Sequence, residues 1–390
     1  MKKIPRIIVI AQTISSYGRG LIRGIARYSR LHGPWSFFSE RGEPQDILPL
    51  LKNWNPNGAI ICTAEEKINK TLIPFDLPTI VIPSKGLVAG YPNIFGDWEN
   101  DSIIAAEYFL NLGFRNFAYC GFSNLEWSKF RARYFFERLA KEGNEEVFFY
   151  DKPFLFLHKD WQNELEELAD WLVSLPKPVA VMACNDERGK HVLEACKIAE
   201  LAVPEQVAVL GVDNDETICE LLTQPPLSSI AVNTEKAGYE AAALLDKMMH
   251  GQKVPDENII VQTMQVVSRQ STDILMVDDE SVVKAVNFIR LNAKRPLQVE
   301  EVANTVGMNR RGLERRFKKS LNRSIHEEIR RVRIELIKKL LLETNMTVSQ
   351  ISNQLDFNEI PHLTRFFSRE TGMSPNEFRK QHLGKIQKTS

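Results

Sequence analysis

Arg310, Arg311, Glu314 and Arg315 fall within six residues, and Leu313 and Phe317 stand four apart among them. On a helix that spacing turns the apolar pair inward and the charged set outward. Guanidinium groups displayed in this way suit guanine edges or phosphates, while Glu314 can accept from a cytosine amino group or pair with a neighbouring arginine. A second set repeats the pattern: Leu363 and Phe367 face in, and Glu359, Ile360, His362, Thr364 and Arg365 face out behind Asn358. A third set has a different chemistry. Arg131, Asn185, Asp186 and Asp213 carry planar polar groups that donate and accept in pairs, as a neutral polyol requires, and Tyr17, Arg19, Asp97 and Trp98 could complete such a site, the rings against its apolar C–H face.

The first two sets need helices to carry them, and the surrounding sequence supplies a helix-turn-helix twice, from Leu297 to Ser320 and from Val348 to Gly372. At an offset of 49, Val299/Val348, Val302/Ile351, Ala303/Ser352, Val306/Leu355, Met308/Phe357 and Asn309/Asn358 coincide. The apolar positions form the inner face of a short helix, Gly307 ends it in the left-handed conformation, and Asn309 and Asn358 are the expected caps of the two reading helices. Pro361 falls in a first turn, where its missing N–H costs nothing. One such unit reads equally well as a helical hairpin with a solvated face. Two, joined by the basic helical stretch Ile325–Leu342, favour a pair of groove-entering helices about one DNA turn apart.

This segment, about 80 residues, resembles the AraC/XylS-type DNA-binding domain in its double unit, its joining run RIELIKKLLLETNMTVSQIS and its closing GMSPNEFR. The resemblance implies an all-α double helix-turn-helix domain bound to operator or promoter DNA. Asp356 stands where that family has Gly, and the turn is expected to keep a left-handed residue there.

The third set needs strand ends. From Ile4 to about Ser271, short β-branched runs alternate with amphipathic segments. Strands are expected at Ile7–Ala11, Trp35–Ser39, Ala59–Cys62, Thr79–Ile82, Asn116–Tyr119, Val147–Tyr150, Val179–Ala183, Val207–Val212 and Ser229–Val232. Helices are expected at Gly20–Leu31, Asn100–Leu112, Phe130–Glu142, Trp161–Ser174, Arg188–Ala199 and Glu235–His250. Such alternation predicts parallel sheets covered by helices, with ligands at the carboxyl ends of the strands. The length, about 270 residues, favours two lobes over one sheet. Asn185 and Asp186 then follow one strand and Asp213 another. Each has a plainer reading as well: Asp186 as the cap of the helix at Arg188, Trp98 as core.

Gly18, Gly20 and Gly24 approach a dinucleotide fingerprint, but Gly18 lies seven residues past the strand end at Ala11, too far for a pyrophosphate turn. Gly121-Phe122-Ser123-Asn124-Leu125 lacks the last glycine of a hydrolase elbow. With no phosphate loop and no metal-ligand spacing, the sequence predicts no cofactor, no metal and no catalytic residue.

AAEYFLNLGFRNFAYCGF (Ala105 to Phe122), VAVMACNDERGKHVLEAC and VPEQVAVLGVDNDETICELLTQPPLSSIAVNTEKAGYEAA resemble the sugar-binding domain of the lac repressor type. That resemblance covers roughly residues 5 to 270 and implies an α/β two-lobed periplasmic-binding-protein-like fold of type I. Arg131 and Phe135 match its R-x-x-G-F segment, with Tyr134 in place of the Gly. A sugar domain placed before an AraC-type reader resembles the xylose operon regulators, which implies a small pentose-like effector, activation of a sugar-utilisation operon, a homodimer and contact with RNA polymerase.

Charge follows the same division. The chain is neutral overall, yet Ser281 to Ser390 holds 22 Lys+Arg against 11 Asp+Glu and the remainder 28 against 39, so a net of +11 follows a net of −11. A basic third on an acidic body fits one domain that meets a polyanion and one that does not. The expected domains are 1–270 for the effector, 271–280 for an acidic linker and 281–390 for DNA. Five cysteines without a C-x-x-C pair suggest free thiols in a reducing bacterial cytoplasm, with nucleoid association when DNA is bound, and the five-residue apolar run Ile7–Ala11 is too short for a signal core or a membrane span. The rival readings are a sugar- or nucleotide-processing enzyme with a DNA-binding tail, and an architectural DNA binder without an effector.

Overall fold

In a computed structural model of the chain, the described residues are 4–11, 15–38, 54–63, 77–83, 87–144, 146–153, 161–252, 258–277, 279–357 and 359–383. Ser39 at the end of an expected strand, Asp278 in the expected linker and Asn358 in the second reading unit lie outside them. The chain divides into two compact units, one of residues 1–110 and 114–274, the other of residues 111–113 and 275–390.

The first unit contains two main sheets and a small two-stranded one. β1 (Arg6–Ile10), β2 (Ser36–Phe38), β3 (Gly58–Thr63) and β4 (Thr79–Pro83) form a parallel sheet in the order β2-β1-β3-β4. Its inner strands β1 and β3 are apolar on both faces, as a covered parallel sheet requires, while the edge strand β2 is largely exposed. Ile7 and Val9 enter the core beneath α1 (Ser16–His32), while Ile8 packs with Ala59 and Ile61 on the opposite face. The second lobe is a sheet of six strands in the order β12-β10-β9-β8-β6-β7, from β6 (Asn116–Phe122), β7 (Val147–Lys152), β8 (Val179–Ala183), β9 (Val207–Asp213), β10 (Ser228–Val232) and β12 (Thr263–Val267). Only β12 runs antiparallel to its neighbour. α2 (Trp98–Asn111), α3 (Glu126–Ala140), α4 (Trp161–Ser174) and α5 (Asp186–Ile198) alternate with these strands, and α6 (Thr234–Met249) returns to the first lobe against α1.

The chain crosses between the lobes three times: before α2, before α6, and between β11 (Ile259–Val261) and β12. β5 (Ile94–Gly96) pairs in parallel with β11, and the Asn233 N–H donates to the Gln262 carbonyl at 2.8 Å, which ties the crossings together. α1 and α6 meet closely. A Cβ on Gly24 would stand 2.0 Å from the Glu235 carbonyl oxygen, and one on Gly238 2.1 Å from that of Leu21. The glycine spacing near residue 20 therefore serves a helix crossing, which explains it without a nucleotide.

The second unit is helical. α7 (Glu280–Leu291), α8 (Val299–Thr305) and α9 (Arg310–Leu321) enclose one core with Ile325 and Ile329 of α10 (Ile325–Glu343). The other half of α10, through Ile334, Ile337 and Leu341, packs with α11 (Val348–Gln354), α12 (Ile360–Thr371) and α13 (Pro375–Leu383). Asn309 starts α9 as the sequence predicts, its side chain accepting from the Gly312 N–H, and Ser324 and Thr347 each close a capping box at the start of α10 and α11. Gly307 and Asp356 both hold the left-handed conformation, at φ 68° and 53°.

One expectation fails by a single residue. The short helices repeat at 49, but α9 and α12 begin 50 apart, because the second turn is one residue longer. The cap position of α12 is Glu359, not Asn358, and among the described residues no side chain caps it.

Candidate effector site and nucleic-acid interface

The carboxyl ends of β8 and β9 and the start of α3 bring the polyol-binding candidates together. Asn185 caps α5, its Oδ1 accepting from the Arg188 N–H at 2.9 Å. Asp186 is thereby relieved of capping and turns into the interior, 2 % exposed. Its Oδ2 accepts from the Asp215 N–H at 2.6 Å and its Oδ1 from the Ser229 hydroxyl at 2.5 Å. Asp213 ends β9 with φ 102°, followed by Asn214 at 50°. Two successive non-glycine residues in this region store strain that the surrounding packing must hold, as residues in binding sites often do.

Arg131 on α3 is buried. Its Nε and Nη2 donate to Asp101 Oδ2 at 3.0 and 2.7 Å, and its Nη1 to the Cys184 carbonyl at 2.8 Å. Three of its five N–H groups are thus committed, and two remain for a ligand oxygen. Asp101, wholly buried on α2, also accepts from the Thr263 hydroxyl at 2.7 Å, so the arginine is anchored to the third lobe crossing. Around this pair stand aromatic rings. Trp98 stacks on Phe130 at 5.1 Å with planes 5° apart, and Trp127 lies 5.4 Å from the Arg131 guanidinium carbon.

The cluster is buried and holds more aspartates than arginines, and both facts shift its titration, burial more than charge. Burial pushes Asp213 up to about 7, against the pull of Arg131 and with Asp101 and Asp215 adding to the rise. Burial, then Asp213, holds Asp186 well above the ordinary carboxylate range. Burial also works against the charge of Arg131, but Asp101 and Asp213 keep it above the ordinary guanidinium value. Asp97 is raised chiefly by burial.

Arg131, Asp186 and Asp213 thus share one site, with Asn185 beside them as a cap. Arg19 reaches the same site indirectly, through an ion pair with Asp215 at 2.7 Å. Asp97 occupies a crossing: its N–H donates to the Val261 carbonyl and its Oδ1 accepts from Asn100 N–H. Trp98 packs on Phe130, and Tyr17 is half-buried against the first-lobe core. Asp101 and Asp215 are functional candidates that sequence reasoning passed over. Asp215 lay two residues past a chosen aspartate, and Asp101 looked like an ordinary polar residue of a helix.

On α9, Leu313 and Phe317 are buried while Arg310, Arg311 and Arg315 are exposed. Arg310 is braced by Glu314 at 2.9 Å and by Glu300 of α8 at 2.7 Å, so Glu314 pairs with its neighbour in the DNA-free chain. Among the described residues Arg311 and Arg315 make no ion pair. On α12, Leu363 and Phe367 are buried, Glu359, Ile360, His362 and Arg365 are exposed, and Thr364 is half-buried. Pro361 takes its place in the first turn.

Residues 106–272 match the periplasmic binding protein-like domain family, and residues 302–381 a helix-turn-helix domain family. The xylose operon regulatory protein of Haemophilus influenzae is 30 % identical over 382 residues, covering 96 % of this chain and 98 % of that protein. The chain belongs to the xylose operon regulatory protein family. Another member, from Escherichia coli K12, is 28 % identical and covers 96 % of each chain. A solved structure of a xylose-binding transcription activator matches with a TM-score of 0.60 at 27 % identity, over 98 % of this chain and 99 % of the other. As a member of this family the chain is a sugar-responsive DNA-binding transcription regulator and not an enzyme. Among the described residues no helix is long and apolar enough to cross a membrane.

Proposed function

We propose that this regulator senses a neutral pentose of the xylose class at Arg131, Asn185, Asp186 and Asp213, and that the sugar switches on transcription of a pentose-utilisation operon. The observation that carries the reading is the buried Arg131–Asp101 pair beside Asp186 and Asp213. Paired donors and acceptors suit vicinal hydroxyls, whereas a phosphorylated or carboxylated sugar finds no unpaired counter-charge among the described residues of the cluster, since Arg131 and Arg19 are already paired with Asp101 and Asp215. The xylose class and the activating sign are drawn from the names of the relatives. Operator DNA meets Arg310, Arg311, Glu314 and Arg315 of one reading helix and Glu359, Ile360, His362, Thr364 and Arg365 of the other, together with Asn358, which precedes them in the sequence. A homodimer is supported by the exposed Ile198, Leu221 and Leu222, the leucines lining a surface pocket with Lys197 and Glu220. An activator at a bacterial promoter also implies contact with RNA polymerase, and the buried free thiols of Cys120, Cys184, Cys196 and Cys219 suit a cytoplasmic, nucleoid-associated protein. The working division is an effector domain 1–270, a linker 271–280 and a DNA-binding domain 281–390.

Titration calorimetry of the full chain against D-xylose, other pentoses, hexoses, pentose phosphates and uronic acids tests this. A neutral pentose should bind with the best affinity, and Asp213→Asn should weaken it at least tenfold. Preference for a sugar phosphate or a uronic acid would contradict the reading.

A further inference from the structure

Arg19 joins parts of the chain 196 residues apart. It lies in the first turn of α1, where Gly18, Gly20 and Leu21 are buried in the first lobe. Asp215, its partner, lies two residues past β9 in the second lobe. The Arg19 side chain is 37 % exposed and that of Asp215 only 7 %. Asp215 is fixed in place: its Oδ1 accepts from the Thr217 N–H at 3.1 Å, and its own N–H donates to Asp186. The second lobe therefore supplies a rigid carboxylate, and the first lobe a guanidinium that reaches for it. In the second lobe Arg131 pairs with Asp101 and pulls on Asp213, while Asp213 in turn raises Asp186, whose carboxylate holds the Asp215 N–H. Arg19 is a second cation, brought by the other lobe.

We infer that Arg19 is a positioning residue that holds the two lobes closed through Asp215 and does not itself touch the sugar. The inference rests on reading the Arg131 cluster as the effector site. When the lobes part, Asp215 loses its counter-charge and stays beside Asp186; when they close, the pair re-forms and the cluster is partly neutralised. Sugar and Arg19 then favour the same arrangement, and whatever weakens one weakens the other by the same factor. A charge-assisted bond with one buried and one half-exposed partner is worth about three- to tenfold in the closing equilibrium, less at high salt.

A double-mutant cycle on the full chain tests this, read by calorimetry with D-xylose and the other pentoses of the panel, circular dichroism verifying the fold of each variant. Arg19→Ala and Asp215→Asn should each raise Kd about three- to tenfold, and the double variant should lose no more than either alone. Arg19→Lys should recover part of the loss, and added salt should weaken the wild type more than Arg19→Ala. Additive losses would mean that Arg19 contacts the sugar directly, and unchanged Kd in both single variants would mean that the pair does not act on closure. Either result overturns the clasp while leaving the effector site intact. Failure of the wild type to bind any sugar overturns both.

Discussion

Near neutral pH Asp213 holds its proton about half the time, a state in which it can accept fewer hydroxyls than a carboxylate can. If sugar hydroxyls donate to both of its oxygens, binding selects the ionised form and releases the proton. The sign follows. In the ligand-free fold the group binds protons more tightly than in the unfolded chain, so ligand-free stability falls as pH rises from the ordinary aspartate range to about 7. Sugar affinity moves the other way, rising with pH through 7 and levelling above it. Calorimetry from pH 6 to 8.5, in buffers of different ionisation enthalpy, should find proton release on binding and a pH dependence that Asp213→Asn removes; proton uptake would be the contrary result. Arg131, Asp186 and Asp213 were legible in the sequence because each is a polar residue next to an apolar strand or at a recognisable spacing. Asp101 and Asp215 were not, because what makes them matter is tertiary: a buried arginine from α3 and a guanidinium from the other lobe.

At the scale of elements, the long parallel strands and their helices follow from runs such as Ile7–Ile10 and Val179–Ala183, apolar at every position because both faces are covered. β5, β11 and β12 escaped notice. The first two are three-residue strands, held by pairing across a crossing instead of by a pattern of their own. The cap of α12 escaped for a related reason: a repeat offset read from the short helices cannot register one extra residue in a turn. The glycines of α1 carry a prediction of their own. Glu235 O and Tyr239 N leave no room at Gly24, and both are backbone atoms that cannot swing aside. Gly24→Ala should therefore destabilise the effector domain by about 1–3 kcal/mol through overpacking, although alanine is the better helix former. Thermal unfolding reads this directly, and an unchanged or raised Tm would refute the close crossing.

For the molecule as a whole, two compact units with opposite net charge divide the work as their chemistry suggests. The acidic unit carries the buried carboxylates proposed to meet the sugar's hydroxyls, and the basic unit carries two helix-turn-helix halves whose cores share α10. Coupling between them needs a sugar that binds two arrangements of the regulator unequally. Fluorescence anisotropy of promoter DNA with the full chain, with and without pentose, tests that coupling most directly. The wild type should change its DNA affinity when sugar is added, Asp213→Asn should bind DNA and ignore the sugar, and Arg315→Ala should lose about 1–3 kcal/mol of DNA affinity while still binding the sugar. Anisotropy that sugar leaves unchanged in the wild type, or an Arg315→Ala chain that has lost its sugar instead of its DNA, would contradict the account.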